Sequence, residues 1–366
     1  PAAGAPARAT TPPPPVPPFH RPRRAARVAA MTSPPAPLAT IEAADAALTA
    51  GLARMLAPRL APGDTLLLDG PVGAGKTHFA RALIRARQGD AAEDVPSPTF
   101  TLVQTYLDAG GTELWHADLY RLIDPAELFE LGLEDAMPEA ITLIEWPERM
   151  GAPPAGALRV ALSATDPDLR RITLSGDPAR WGWVARLAAA ARIVHAAGWA
   201  EARVAPLAGD ASARSYARLT APEGTAVLMD DPGGQLPRYL QMTDWLRDRG
   251  FAAPAVLAAD PAQGFALLED LGDDLLARVL DRDPGAAEAL YDRVTDLIVD
   301  LHRHAPPDFV APLDGAALAG QAGLLAEWYA PAAGAPGAGA EAGAAIAALW
   351  DRLAADTPAG VSLRGF

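Results

Sequence analysis

From Ile41 to Leu60 apolar residues recur at helical spacing, and Pro62-Gly63 stops the pattern. A short unbroken apolar run follows, "TLLLD" at 65–69, which reads as a buried strand. "KTHFARALIRARQ" then reads as a helix, and "TLVQTYLD" and "ELWHADLYRL" as strands. "PAELFELGLEDAM" reads as one helix with Pro125 in its first turn. "ITLIEW", 141–146, is a second buried strand. "LRVALSA" and "RRITLSG" alternate with period two around "TDPD" and read as a hairpin.

Near Trp181 the pattern changes character. "WVARLAAAARIVHAAG" reads as a helix or linker, and "ARVAPLAG", "SYARLT" and "TAVLMD" as short strands. Longer helices follow Gly272, and the low-complexity stretch 331–345 reads as a loop leading into a helix. These changes divide the chain into a tail over 1–37, a unit over 38–178, a linker helix over 179–199 and a second unit over 200–366. The tail is rich in Pro and Ala, with "TPPPPVPP" and "RPRRAAR", and no acidic residue precedes Glu42. It cannot bury enough surface to fold alone. Two readings stay open. One is a targeting peptide, which is Arg-rich and acid-poor, although the prolines argue against its amphipathic helix. The other is that Met31 is the true start and the residues before it come from an over-extended reading frame.

Composition narrows the chemistry. The 366 residues carry a net charge of −14 at neutral pH. Such a chain is poorly suited to grip nucleic acid by itself, because neutralising phosphates needs Lys and Arg. It has no cysteine, which excludes disulfides, thiolate metal sites and cysteine nucleophiles. No apolar run reaches the roughly 20 residues of a membrane span.

The sharpest motif is "GPVGAGKT". Gly70, Gly73, Ala74, Gly75, Lys76 and Thr77 fit a phosphate-binding loop between a strand and a helix. The glycines let backbone N–H groups turn inward, and the helix N-terminus adds positive potential. Lys76 is expected to reach the outer phosphates, and Thr77 to offer its hydroxyl to magnesium. "SPTF", 97–100, stands where a loop sensing the outer phosphate would lie, and it is also ordinary turn chemistry. Asp118 and Glu145 end apolar runs, and ligands of doubly wound sheets sit beyond the carboxyl ends of strands. Both acids are candidates to hold metal or orient a water, and both also read as solvated strand ends. His116 reads as structural. A small-molecule kinase would need basic lid residues, and few stand between 90 and 147 beyond Arg121. A binding module switched by ATP is a further alternative.

The order "GPVGAGKT", "SPTF", "HADLYR", "LGLED", "LIEWPER" and a final hairpin resembles the TsaE family, the small ATPases of bacterial threonylcarbamoyladenosine synthesis, over roughly 38–177. The resemblance implies an α/β fold of the P-loop NTPase type with a mostly parallel sheet, binding ATP and Mg2+ in the cytoplasm. It implies TsaD-like and TsaB-like partners, tRNA met only through them, and no DNA or membrane. It implies Thr99 as a switch residue, Asp118 and Glu145 as metal-binding or water-orienting acids, and Trp146 packed near the site. Pro71-Val72 departs from the acidic residue and leucine frequent in the family.

The second unit, with "PLAGDASARSYARL", "AVLMDDP" and "GFALLEDLGDDLL", resembles aminoglycoside phosphotransferase-like kinases, closest to the N-acetylmuramate and N-acetylglucosamine kinases. The resemblance implies an α+β lobe in which Gly209–Tyr216 turns over ATP and residues 267–273 link the lobes. Such kinases place a lysine on the third strand, and here Met229 stands in that stretch, with Arg214 or Arg218 as possible substitutes. The matching catalytic loop reads "LRDFH…N", against "VSLRGF" here, so Gly365 stands at the Asp position. An incomplete kinase-like domain without sugar-kinase activity is the expectation.

Overall fold

The computed structural model describes residues 36–89, 94–124, 126–164, 169–207, 213–311, 314–334 and 336–354. Expectations for the tail with Met31, for Pro125, for the "TDPD" turn, for the first half of the Gly209–Tyr216 turn, and for Gly365 and Phe366 fall outside them.

The first described element is strand β1 (Pro37–Ala43), where the sequence predicts tail and then helix. Ile41 and Ala43 are buried, while Glu42 between them accepts a 2.7 Å hydrogen bond from Arg171 Nε. That alternation is a strand's, and the helix waits for its cap. Asp45 supplies it: the Leu48 N–H donates to Asp45 Oδ1 at 2.9 Å, opening α1 (Ala46–Leu56).

Six further strands complete the first sheet: β2 (Thr65–Asp69), β3 (Val103–Leu107), β4 (Glu113–Asp118), β5 (Ile141–Glu145), β6 (Leu158–Ala164) and β7 (Arg170–Ser175). Their order is β1-β7-β6-β2-β5-β4-β3, with β6, β2, β5 and β4 mutually parallel. The pairs β6–β7, β7–β1 and β3–β4 are antiparallel, so five of seven strands run one way. The sheet is mostly parallel, as expected. Leu66, Leu68 and Leu143 face α1 and α2 (Lys76–Gln88) on one side; Leu67, Ile144 and Ala117 meet Leu119, Leu128 and Leu133 on the other. Burial on both faces is why these strands carry unbroken apolar runs. The single helix predicted over 125–137 is instead two single-turn helices, α3 (Glu127–Glu130) and α4 (Leu133–Ala136). Gly132 between them has φ 70°, a left-handed conformation that ends the first helix.

A short helix α5 (Pro178–Trp181) leads to α6 (Val184–Ala196). Val184, Leu187, Ala188, Ala190, Ala191, Ile193 and Val194 are all buried, so α6 is apolar on most of its circumference. It lies between α1 and a second, antiparallel sheet: β8 (Arg203–Pro206), β9 (Ser215–Ala221), β10 (Gly224–Asp230), β11 (Val256–Asp260) and β12 (Phe265–Glu269), ordered β11-β12-β10-β9-β8. One hydrophobic cluster runs from Leu52 and Leu56 through Leu187 and Ala191 to Leu219, Leu228, Phe265 and Leu267. Polar contacts tie the same seam. Arg54 donates to the Ala200 carbonyl at 2.8 Å, and His195 Nε2 lies 2.9 Å from Asp45 Oδ2. The opposite face of the second sheet, with Met229, Ala266 and Leu268, packs on Leu236, Tyr239 and Leu240 of α7 (Leu236–Arg247).

Helices α8 (Leu276–Arg282), α9 (Ala287–Leu301), α10 (Gly315–Leu324), α11 (Ala330–Ala332) and α12 (Pro336–Ala354) follow, with a π-helical turn over Leu325–Tyr329. The loop predicted over 331–345 is thus helical from Pro336 onward. Its alanines favour the helix more than its few glycines oppose it. Among the described residues, no helix is long and apolar enough to cross a membrane.

Asp45 yields a test. The Leu48 N–H bond, opposed by partial burial and aided by His195, lowers its pKa below the ordinary carboxylate value. A lowered pKa means stability present above the unfolded value and lost as pH falls through the folded one. Asp45→Ala is expected to lose about 1 kcal/mol at neutral pH. In denaturant titrations that gap to the parent chain should shrink as pH falls from about 7 to about 3.

Candidate functional site

The loop from Gly70 to Gly75 joins the end of β2 to the start of α2, at the sheet's carboxyl edge. Gly70 has φ 142°, and a Cβ there would lie 2.1 Å from the Leu162 carbonyl oxygen on β6. Only glycine fits that approach. Gly73 has φ 78°, and a Cβ on it would meet nothing within 4 Å, so its backbone borders open space. Ala74 is buried and its N–H donates to the Pro71 carbonyl. Gly75 caps α2 with no side-chain partner for the helix's first N–H groups. Those groups form a ready anion site.

Lys76 is only 5% exposed. Its Nζ donates to the carbonyls of Gly70 (2.7 Å) and Pro71 (3.0 Å) and lies 3.7 Å from the Trp146 ring centroid. Burial lowers its pKa, while the carboxylates of Glu145, Asp118, Glu148 and Asp69 work in the other direction. Among the described residues no carboxylate comes within 4 Å of this ammonium. A buried cation held only by neutral partners is suited to receive an anion.

Two acids end neighbouring parallel strands, Asp118 on β4 opposite Glu145 on β5. Both are almost fully buried, so neither is a solvated strand end. Thr77 Oγ1 donates to Glu145 Oε2 at 3.0 Å, and His116 Nε2 lies 3.0 Å from Glu145 Oε1. Thr99 Oγ1 donates to Asp118 Oδ2 at 2.6 Å, with Ser97 Oγ at 3.2 Å from the same oxygen. The Tyr120 N–H donates to Asp118 Oδ1 at 3.0 Å. Trp146 adopts a left-handed backbone, φ 58°, which turns the chain at the strand end and lays its ring on Lys76 and beside Tyr120, 5.0 Å between centroids. The structure therefore joins Thr77 to Glu145 and Thr99 to Asp118 by direct hydrogen bonds, while Lys76 contacts the Gly70 and Pro71 carbonyls and the Trp146 ring. The Tyr120 N–H and the His116 contact were not singled out by sequence. The signal for His116 was its spacing: two residues before Asp118 on one strand, it shares that residue's face.

The donors present suit magnesium held jointly with phosphates. No group of three or more His, Asp or Glu that could hold a metal occurs among the described residues. Magnesium is typically bound through one or two carboxylates, with substrate phosphates and waters filling most of its shell. Thr77, Asp118 and Glu145 supply such oxygens.

Residues 43–172 match the family "Threonylcarbamoyl adenosine biosynthesis protein TsaE", and residues 203–364 match "Phosphotransferase enzyme family". A TsaE protein of Rickettsia bellii is 39% identical over 130 residues, covering 35% of this chain and 89% of the relative. The chain belongs to the TsaE family. A second TsaE protein, from Rickettsia felis, is 47% identical over 100 residues, covering 27% of this chain and 57% of the relative. The second unit is similar to an N-acetylmuramate/N-acetylglucosamine kinase of Caulobacter vibrioides, 36% identical and covering 36% of this chain and 43% of the relative. The chain thus spans a little over half of the Rickettsia felis protein and under half of the kinase. It joins a TsaE unit to a phosphotransferase-like one.

The Gly70 contact supplies a test of the loop. Gly70→Ala should lose more than about 2 kcal/mol of stability, since the methyl meets backbone and not a movable side chain. Denaturant unfolding at neutral pH reads this, and a variant as stable as the parent would refute the close approach.

Proposed function

We propose that the TsaE unit binds and hydrolyses ATP with magnesium, as a component of the cytoplasmic apparatus that makes threonylcarbamoyladenosine in tRNA. The convergence of Lys76, Thr77, Thr99, Asp118 and Glu145 at one sheet edge, in a chain of this family, carries the reading. Gly70, Gly73, Ala74 and Gly75 shape the phosphate cradle, and the N-terminus of α2 draws the anion. Lys76 exchanges its carbonyl partners for outer phosphate oxygens. Thr77 and the acids Asp118 and Glu145 would hold the magnesium, which when bound would neutralise charge on the phosphate oxygens. Thr99 presents Asp118 through its short hydroxyl bond and acts as the switch residue. The acids orient the attacking water.

TsaD-like and TsaB-like proteins are the proposed partners, with tRNA reached through them. The net charge of −14 supports that division, since a chain so acidic is poorly made to hold RNA alone.

Lys76→Ala is expected to lower ATP hydrolysis by about a hundredfold or more, because the buried cation that would meet the outer phosphates is removed. The reading fails if tRNA modification reconstituted with TsaB and TsaD proceeds normally with that variant.

For the second unit we propose a kinase-like fold that does not phosphorylate sugars. Met229, on the strand where a lysine is expected, is fully buried among Leu236, Ala266 and Leu268. Arg218, one substitute, donates to Asp270 at 2.7 Å and to Asp273 at 2.8 Å. Its pKa is raised by the bonds to Asp273 and then Asp270. The other substitute, Arg214, lies 3.8 Å from Asp231. No phosphate transfer to N-acetylmuramate or N-acetylglucosamine is expected, and radiolabelled ATP with either sugar tests it directly.

A further inference from the structure

We propose that His116 is a positioning residue of the ATPase site, fixing the Glu145 carboxylate through its Nε2–H. The inference rests on the ATPase reading above and assigns a task to a residue which that reading leaves idle.

His116 has no solvent exposure, and Glu145 is 2% exposed. A carboxylate at that depth needs a donor on each oxygen, because an unsatisfied buried oxygen is destabilising. Two donors are supplied, from different elements. Thr77, in the first turn of α2, bonds Oε2, and His116, on β4, meets Oε1, each at 3.0 Å. Among the described residues, no donor other than His116 stands within hydrogen-bonding distance of Oε1.

The ring can fill this place in one way. A carboxylate oxygen accepts, so the proton facing it sits on Nε2. In the neutral ring His116 Nδ1 then carries only a lone pair, and among the described residues it has no partner. That is the milder kind of orphan: an unfilled acceptor and not a stranded donor.

The two donors differ in what they can do during a cycle. Thr77 is an expected magnesium ligand, so its hydroxyl has a second use at the moment of nucleotide binding. His116 has none, since its ring lies within the sheet away from solvent. It therefore holds Glu145 while Thr77 changes partner, keeping the plane of the carboxylate fixed and Oε2 turned toward the phosphate loop. This is the outer-layer support on which carboxylates near metals depend.

The test uses the full chain with magnesium and ATP. His116→Leu removes the donor, while His116→Gln can return an N–H to about the Nε2 position. His116→Leu is expected to lower kcat by about ten- to a hundredfold, with KM for ATP changed less than about threefold. His116→Gln should recover kcat to within about threefold of the parent. The magnesium concentration giving half-maximal ATP binding should rise about tenfold in His116→Leu. Thermal unfolding identifies variants that fail to fold, and the near-isosteric Gln variant keeps the test usable if Leu does not. Folded Leu and parent chains with equal kcat and equal magnesium dependence would overturn the inference alone, as would a folded Gln variant no better than Leu. A parent chain that neither binds nor hydrolyses ATP overturns the ATPase reading, and this inference with it.

Discussion

The parallel pairing of β2 with β5 on one side and β6 on the other governs the site. On the β6 side, the pairing brings the Leu162 carbonyl against Gly70, leaving no room for any side chain there. On the β5 side, it sets Glu145 where the first turn of α2 delivers Thr77. The next pairing, β5 with β4, puts Asp118 opposite Glu145 and His116 diagonal to it. Three registers, each held by backbone hydrogen bonds, thus place a cradle, two acids and the Glu145 donors, while the connection between α2 and β3 brings Ser97 and Thr99 to Asp118. Sites built on strand ends in this way are held more precisely than sites on loops.

The second physical theme is a shared interior. Helix α6 offers apolar side chains both to α1 and to the second sheet, so one hydrophobic cluster spans both sheets. At Gly51 of α1 a Cβ would stand 3.3 Å from the Ala200 carbonyl oxygen. The seam touches the same α1 that packs beside the phosphate-loop helix. Separating the two sheets would expose Leu187, Ala191, Leu228 and Phe265 to water, at roughly 1.5–3 kcal/mol for each large side chain.

How much of this the sequence showed depended on whether local pattern and tertiary demand agreed. "TLLLD" and "ITLIE" are central strands buried on both faces, and their unbroken apolar runs say so. The phosphate loop was legible because its glycines have backbone duties that follow from their spacing. Ile41 and Ala43 misled, because two buried residues in alternation fit a helix spacing when read with α1; Asp45, the cap, was the signal that divides them. Gly132 broke a helix that its neighbours' composition favoured. The alanines from Pro336 onward formed a helix that glycine content disguised. At the site, Asp118, Glu145 and Thr99 were visible as types, but the burial of the two acids was not, because burial is a property of neighbouring strands. His116, read as structural, shared a strand face with Asp118 by its spacing, but its meeting with Glu145 depends on the neighbouring strand.

The folded-back posture of Lys76 makes the loop its own competitor. Its ammonium is bound by the Gly70 and Pro71 carbonyls and the Trp146 ring, all tethered within the same chain. An arriving anion must displace groups present at a high effective concentration. The lysine's contribution to affinity is then a difference between two sets of partners, not the full strength of an ammonium–phosphate pair. Weakly charged anions gain little from that exchange, and a polyphosphate gains most. On the proposed reading, the loop would sort anions by charge before any base or sugar is recognised.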